Sequence, residues 1–174
     1  MAVLPIVLYP HAALTTPARP VETFDEELSQ FIESMAETMY AANGVGLAAN
    51  QVAELRRVAV IDCAGDGEPS QLYELVNPVI VERKGQLVWQ EGCLSFPDLY
   101  NDIKRAAEVT VEYQTRTGEK RSVSATGLLS VALQHEIDHL DGVVFTERLA
   151  IFEKRVALRK YRKLLERRGL TPSE

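Results

Sequence analysis

Residues 134–142 read Gln-His-Glu-Ile-Asp-His-Leu-Asp-Gly, and whether they form a helix decides how the rest of the chain is arranged. Leu128, Leu129, Val131 and Ala132 lead into them, Thr126-Gly127 can open a helix, and Gly142 can stop it. This predicts a helix over Leu128–Leu140, apolar enough to lie at the centre of a domain. Residues four apart share a helix face, so His135 and His139 can address one ion. Two of the three histidines of the chain fall in this H-E-x-x-H. Glu136 beside the first can reach a water activated by that ion without taking a coordination position. The plainer alternative is a surface helix that happens to carry two histidines and a glutamate.

Working outward, Thr23-Phe24-Asp25-Glu26 fits a capping box, and Leu28, Phe31, Ile32, Met35 and Met39 recur at helical spacing. An amphipathic helix is expected over residues 25–42. Asn43-Gly44 ends it, and Gly44–Gln51 reads as a loop of small residues. Strands are expected over Arg57–Asp62, Leu75–Glu82, Gln86–Gln90, Glu108–Gln114 and Lys120–Ala125. Arg83-Lys84-Gly85 has the form of a hairpin turn between two of them, as does Thr115–Gly118, so the pairing should be antiparallel. A last helix is expected over residues 147–168, with Leu149, Ile151, Phe152, Val156, Leu158, Leu164 and Leu165 as its apolar content. The fold class is therefore α+β: antiparallel sheets packed around a central H-E-x-x-H helix, with an N-terminal and a C-terminal helix. Without repeats or a linker, residues 1–174 read as a single domain.

The first ten residues are apolar but lack a basic leader and are broken by Pro5 and Pro10, so they read as an extended segment packed on the domain rather than a secretory signal. No stretch approaches the roughly 20 apolar residues of a membrane span. Two cysteines with nothing else pointing to export favour a reducing compartment, and a cytoplasmic location is expected. Residues 147–169 hold nine Lys/Arg against three Glu, a local charge of +6 in a chain of net −6. That helix is either a solvated face or a contact for something anionic.

Two histidines need at least one more protein ligand. An extended H-E-x-x-H-x-x-G-x-x-H pattern is met by Gly142, but its last position is Phe145. His11 lies on a Pro-flanked N-terminal segment, and Glu147, Glu153 and Glu166 lie on or at the start of the basic helix. Cys93, in Gln90-Glu91-Gly92-Cys93-Leu94-Ser95-Phe96-Pro97, is the remaining candidate. On position alone it reads as a buried structural thiol, and the need for a third ligand turns that preference round. Cys63 follows the apolar run Val58-Ala59-Val60-Ile61 and reads as a small core or strand-end residue.

Three segments now coincide. Gly44-Val45-Gly46-Leu47-Ala48-Ala49-Asn50-Gln51 fits G-x-G-x-A-A-x-Q, Glu91-Gly92-Cys93-Leu94-Ser95 is E-G-C-L-S, and Gln134–His139 is Q-H-E-x-D-H. In this order and spacing they resemble the peptide deformylase family over nearly the whole chain. The resemblance implies removal of the formyl group from formyl-Met nascent peptides, with one divalent metal held by Cys93, His135 and His139. Iron(II) is the metal it favours in the cell, and zinc, nickel or cobalt would also suit such ligands. Glu136 would be general base and then acid, and the backbone N–H of Leu94 with the side chain of Gln51 would meet charge on the formyl oxygen. The resemblance also implies substrate binding by Val45 and Gly46 as an added strand, and a methionine pocket lined by Val45, Leu128, Val131 and His135. Arg105 resembles a position that touches substrate or steadies the site. Trp89 reads either as core packing or as a pocket rim. A ribosome contact through the basic helix is implied by some bacterial members, and a monomer is the default state.

Two other readings stay open on the sequence. A zinc peptidase would share the metal helix but take a third His or carboxylate, against Cys93. An RNA- or ribosome-binding module with a structural metal would have no use for Glu136 or for an open fourth position. A phosphate loop at Gly44 and Gly46 lacks the surrounding G-x-x-x-x-G-K-[ST] pattern.

Overall fold

Helix α1 (Glu26–Ala41) starts where Asp25 can cap it: the carboxylate of Asp25 accepts the Leu28 N–H at 2.9 Å. The cap is thus Asp25 rather than Thr23, because the first helical turn begins at Glu26. Leu28, Ile32, Met35 and Met39 form its buried stripe. A computed structural model describes residues 2–172; the expected unit of residues 1–174 extends past them at residues 1, 173 and 174.

Seven strands follow: β1 (Gly46–Ala48), β2 (Val58–Ile61), β3 (Tyr73–Lys84), β4 (Leu87–Cys93), β5 (Phe96–Arg105), β6 (Glu108–Gln114) and β7 (Lys120–Thr126). They make an antiparallel five-stranded sheet in the order β1-β2-β3-β6-β7 and a separate two-stranded ribbon of β4 and β5. Two expectations are corrected here. The small-residue segment contains an edge strand, β1, paired to β2 with Gly46 opposite Ile61. The turn at Arg83-Lys84-Gly85 closes no hairpin, because β3 pairs with β2 and β6. Gly85, with φ of +63°, directs the chain out of the sheet and into the ribbon. The partner of β4 is β5, whose alternation is hidden by Asp98, Asn101 and Asp102 and interrupted where Asp98 takes φ of +63°.

Helix α2 (Gly127–Leu140) is the central element, buried without interruption from Ser130 to Leu140. Ala132, Leu133 and Ile137 pack on Ile61, Leu75, Val109 and Val111 of the five-stranded sheet. Helix α3 (Ile151–Arg168) covers the ribbon, with Tyr161 and Leu165 against Phe96, Leu99 and Ile103. Each large apolar side chain buried in this way contributes about 1.5–3 kcal/mol. The buried face of α3 is Ala157, Tyr161 and Leu165. Ile151 and Phe152 are each 76% exposed and Val156 53%, so part of the expected apolar content faces outward.

The N-terminal segment is extended and packed, as its composition implies. Val7 N–H donates to the Gln51 carbonyl at 2.8 Å and Tyr9 N–H to the Ser95 carbonyl at 3.0 Å. The Tyr161 hydroxyl of α3 donates to the Tyr9 carbonyl at 2.9 Å. No helix among the described residues is long and apolar enough to cross a membrane.

Candidate active site

The H-E-x-x-H lies in the buried part of α2, so both imidazoles leave the helix into protein rather than solvent. The fully buried His139 and the nearly buried His135 bring their Nε2 atoms to 3.2 Å. Cys93 ends β4, where the ribbon turns through Leu94 and Ser95, and its Sγ lies 3.3 Å from His139 Nε2. All three ligand atoms fall within 4.8 Å of one another, the one such group found among the described residues. Ligands at about 2.0–2.1 Å (nitrogen) and 2.3 Å (sulfur) around a tetrahedral ion stand roughly 3.3–3.6 Å apart, so the set fits a divalent metal. Three protein ligands leave one position open.

His11, Glu147 and Glu153 are engaged elsewhere. His11 Nδ1 accepts the Ala13 N–H at 3.1 Å, Glu147 pairs with Lys154 at 2.6 Å, and Glu153 accepts the Ala150 N–H at 3.3 Å. Phe145, at the position where a third histidine was sought, is buried with its ring centroid 5.9 Å from that of His135, forming an apolar wall beside the ligands.

His135 is oriented by Glu91, whose Oε1 lies 2.8 Å from Nδ1. Arg105 clamps Glu91 through Nε and Nη2 at 2.7 and 2.9 Å and reaches Asp138 through Nη1 at 2.6 Å. Asp138 in turn accepts from Arg148 at 3.0 and 2.6 Å. Burial opposes the charged form of Glu91, but the bonds from Arg105 and His135 outweigh it and hold its carboxyl low. Burial likewise opposes the His135 cation, and Cys93 and Glu91 outweigh it, so its pKa lies well above the usual value. For His139, burial and the neighbouring His135 act together and hold the ring neutral, as a ligand requires.

Sequence reasoning gave no role to Glu91, Asp138 or Arg148; the acidic residues two before Cys93 and one before His139 were the only signal. Of the two readings of Arg105, touching substrate or steadying the site, its contacts favour the second: it is buried against the residues that hold the ligands and does not line the cavity that His135 faces. Replacing it would strand two buried carboxylates. Arg105→Met is expected to lower stability by about 3–5 kcal/mol, read from urea unfolding; a loss below about 1 kcal/mol would refute this account of the network.

The cavity has a volume of about 530 Å³ and is reached by Val45, Gly46, Gln51, Leu94, Leu128 and Val131 together with Cys93, His135 and Glu136. The residues expected at the substrate, Arg105 excepted, thus converge on one space. Trp89, 37% exposed, lines it as a rim. Glu136 Oε2 is buried and has no hydrogen-bond partner. Burial, the largest influence, pushes its carboxyl up to about 7; a divalent cation beside it would pull the other way. A Cβ on Gly46 would stand 2.5 Å from Glu136 Oε1 and 2.9 Å from its Cγ, so the strand can lie against the glutamate only as glycine. Gln51, on a 3-10 turn (Ala49–Val52), accepts the Ala48 N–H at 3.0 Å. Its Nε2 makes only long contacts, 3.6 Å to Cys93 Sγ and 3.3 Å to Ser95 Oγ. Cys63, the other free cysteine, is half-buried beyond β2, and burial with nearby Asp62 and Glu136 pushes its thiol up to about 11, an inert packing residue.

Comparison with known proteins gives a consistent picture. A family model described as Polypeptide deformylase matches residues 3–155. Peptide deformylase of Wolinella succinogenes is 44% identical over 168 residues, covering 95% of this chain and 96% of that one. The Chromobacterium violaceum enzyme is 48% identical over 150 residues, with 86% and 89% covered. The crystal structure of a peptide deformylase from Legionella pneumophila superposes with a TM-score of 0.89 at 41% identity, over 98% of this chain and 100% of that chain. A peptide deformylase from Ehrlichia chaffeensis in complex with actinonin gives 0.87 at 36% identity, covering 94% and 98%. With the three motifs meeting at one cavity and relatives matched along nearly their whole length, the chain belongs to the polypeptide deformylase family.

Proposed function

We propose that the chain hydrolyses the formamide bond at the N-terminus of formyl-methionyl peptides, releasing formate and a free amine. The observation that carries this is the unpartnered Glu136 carboxylate facing the same cavity as the Cys93, His135 and His139 group. When bound there, a divalent ion supplies a Lewis acid and acidifies a water it holds. Iron(II) is the ion proposed for the cell, with zinc, nickel or cobalt able to replace it.

Glu136 takes a proton from the attacking water as the new C–O bond forms at the formyl carbon. It then delivers that proton to the amine nitrogen as the C–N bond breaks. Charge on the formyl oxygen is met by Gln51 Nε2, whose present contacts are long enough to yield, and by the Leu94 N–H. Donors of this kind are worth about 3–4 kcal/mol each. Edge strand β1, paired only to β2, offers its free side around Val45 and Gly46 to the peptide backbone. Val45, Leu128 and Val131 enclose the methionine side chain.

The test is formate release from formyl-Met-Ala-Ser, set against acetyl-Met-Ala-Ser and an unblocked peptide with internal amides. Turnover is expected only for the first; cleavage of internal amides would restore the peptidase reading, which family membership and the cysteine ligand otherwise remove. Gly46→Ala is expected to cut this activity at least tenfold with little change in melting temperature, because the added methyl must displace the Glu136 carboxylate. Activity within twofold of wild type would refute the close approach.

The catalytic unit is taken as residues 1–174, monomeric and cytoplasmic, with the basic segment 147–169 as part of it. Among the described residues, Lys154 pairs with Glu147 and Arg168 with Asp98, while Arg155, Arg159, Lys160, Arg162, Lys163 and Arg167 have no ion-pair partner. These suit ribosomal RNA phosphates. Deleting α3 would strip the ribbon of its cover, so substitution of the free cations is the cleaner experiment. Changing all six to Gln should weaken ribosome association and lower its log–log salt slope, by about 0.7–0.9 for each phosphate no longer neutralised, while sparing the formyl-Met-Ala-Ser reaction. Unchanged association would leave the helix as a solvated face.

A further inference from the structure

A second cavity, of about 480 Å³, borders the face of α2 that carries Gln134 and Asp138. Its charged lining is Arg83, Lys104, Arg105 and Arg148, with Asp138 as the single carboxylate. The charges do not cancel. Arg105 is matched by Glu91 and Arg148 by Asp138, whereas Arg83 and Lys104 have no ion-pair partner among the described residues. Both guanidinium groups at the wall also keep N–H donors beyond those spent on the two carboxylates. In a chain of net charge −6, such an excess of cations around one concavity marks a place for an anion.

We infer that this cavity binds a phosphate group, either free or carried by a nucleotide. Two unmatched cations balance the charge of about −1.5 to −2 on a phosphate monoester. Planar Arg donors approaching from different elements (β3, β5 and the turn before α3) suit an oxyanion with several acceptor oxygens. The volume lies within the ~300–1,000 Å³ of small-molecule sites and exceeds what a bare phosphate fills. Through Arg105, the anion would stand one side chain away from Glu91, which holds His135.

Binding of inorganic phosphate and of adenosine 5′-monophosphate to the metal-loaded protein, followed by phosphorus NMR line broadening, tests this directly and independently of catalysis. Wild type is compared with the double variant Arg83→Ser/Lys104→Ser, whose residues lie outside the reaction site. At least a tenfold loss of phosphate affinity in the variant is expected, with formate release retained. Equal affinity in both proteins, which binding at the metal would produce, or no binding to wild type, overturns the inference. Tighter binding of the nucleotide than of phosphate in wild type assigns the site to nucleotides, and equal affinity assigns it to the free ion.

Discussion

Glu136→Gln is expected to lower kcat for formyl-Met-Ala-Ser by about 10²–10⁴-fold while metal content, measured by elemental analysis, stays at one ion per chain. The amide keeps the length and shape of the carboxylate, so its packing against Gly46 survives. What is lost is a buried carboxylate oxygen that has no partner among the described residues, and with it the means of carrying a proton from water to the leaving amine. Because one group performs both transfers, the defect should appear in kcat with KM little changed. A fall of less than tenfold would show that another group moves the proton.

Cys93→Ala is expected to abolish activity by a different route, through loss of the metal. Removing the sulfur leaves two imidazoles as the whole ligand set, and it removes the only member that binds a metal as an anion. Deleting a hydrogen-bond partner of a metal ligand typically costs about 10–100-fold in affinity; losing a ligand outright should exceed that. Competition with a chelator reads the affinity, and added metal in excess should restore little turnover. Metal retained at wild-type affinity would remove Cys93 from the ligand set. The two variants therefore separate proton transfer from metal retention: the first is loaded and slow, the second is empty.

The metal helix and both flanking helices were legible because each shows a helical period closed by Asp, Gly or Asn. Cys93 was legible only because two histidines cannot complete a site. What the sequence concealed depends on distance in space. Strand β5 carries Asp98, Asn101 and Asp102 where a periodic pattern would ask for apolar residues, so its pairing with β4 was invisible and a hairpin with β3 was expected instead. Arg105 sits on that hidden strand. Its placement opposite Glu91 and Asp138 follows from the ribbon folding over α2, so the sequence left open whether it touches substrate or steadies the site. Tyr161 was passed over because a tyrosine amid Lys and Arg looks solvated, although its ring is buried and its hydroxyl finds the Tyr9 carbonyl.

That bond to Tyr9 bears on how the molecule is made. Tyr9, the turn at Ser95 and Tyr161 meet behind the cysteine, so the first strand-like segment and the last helix are fastened at one point. A chain emerging during synthesis has every ligand in hand once residue 139 is out, yet the wall behind Cys93 is closed only when Tyr161 and Leu165 arrive. Polypeptides broken off earlier should hold their metal poorly and turn over little. In this protein, competence waits for residues 161–165 rather than for the last ligand, an order that fragments released from a stalled ribosome would reveal.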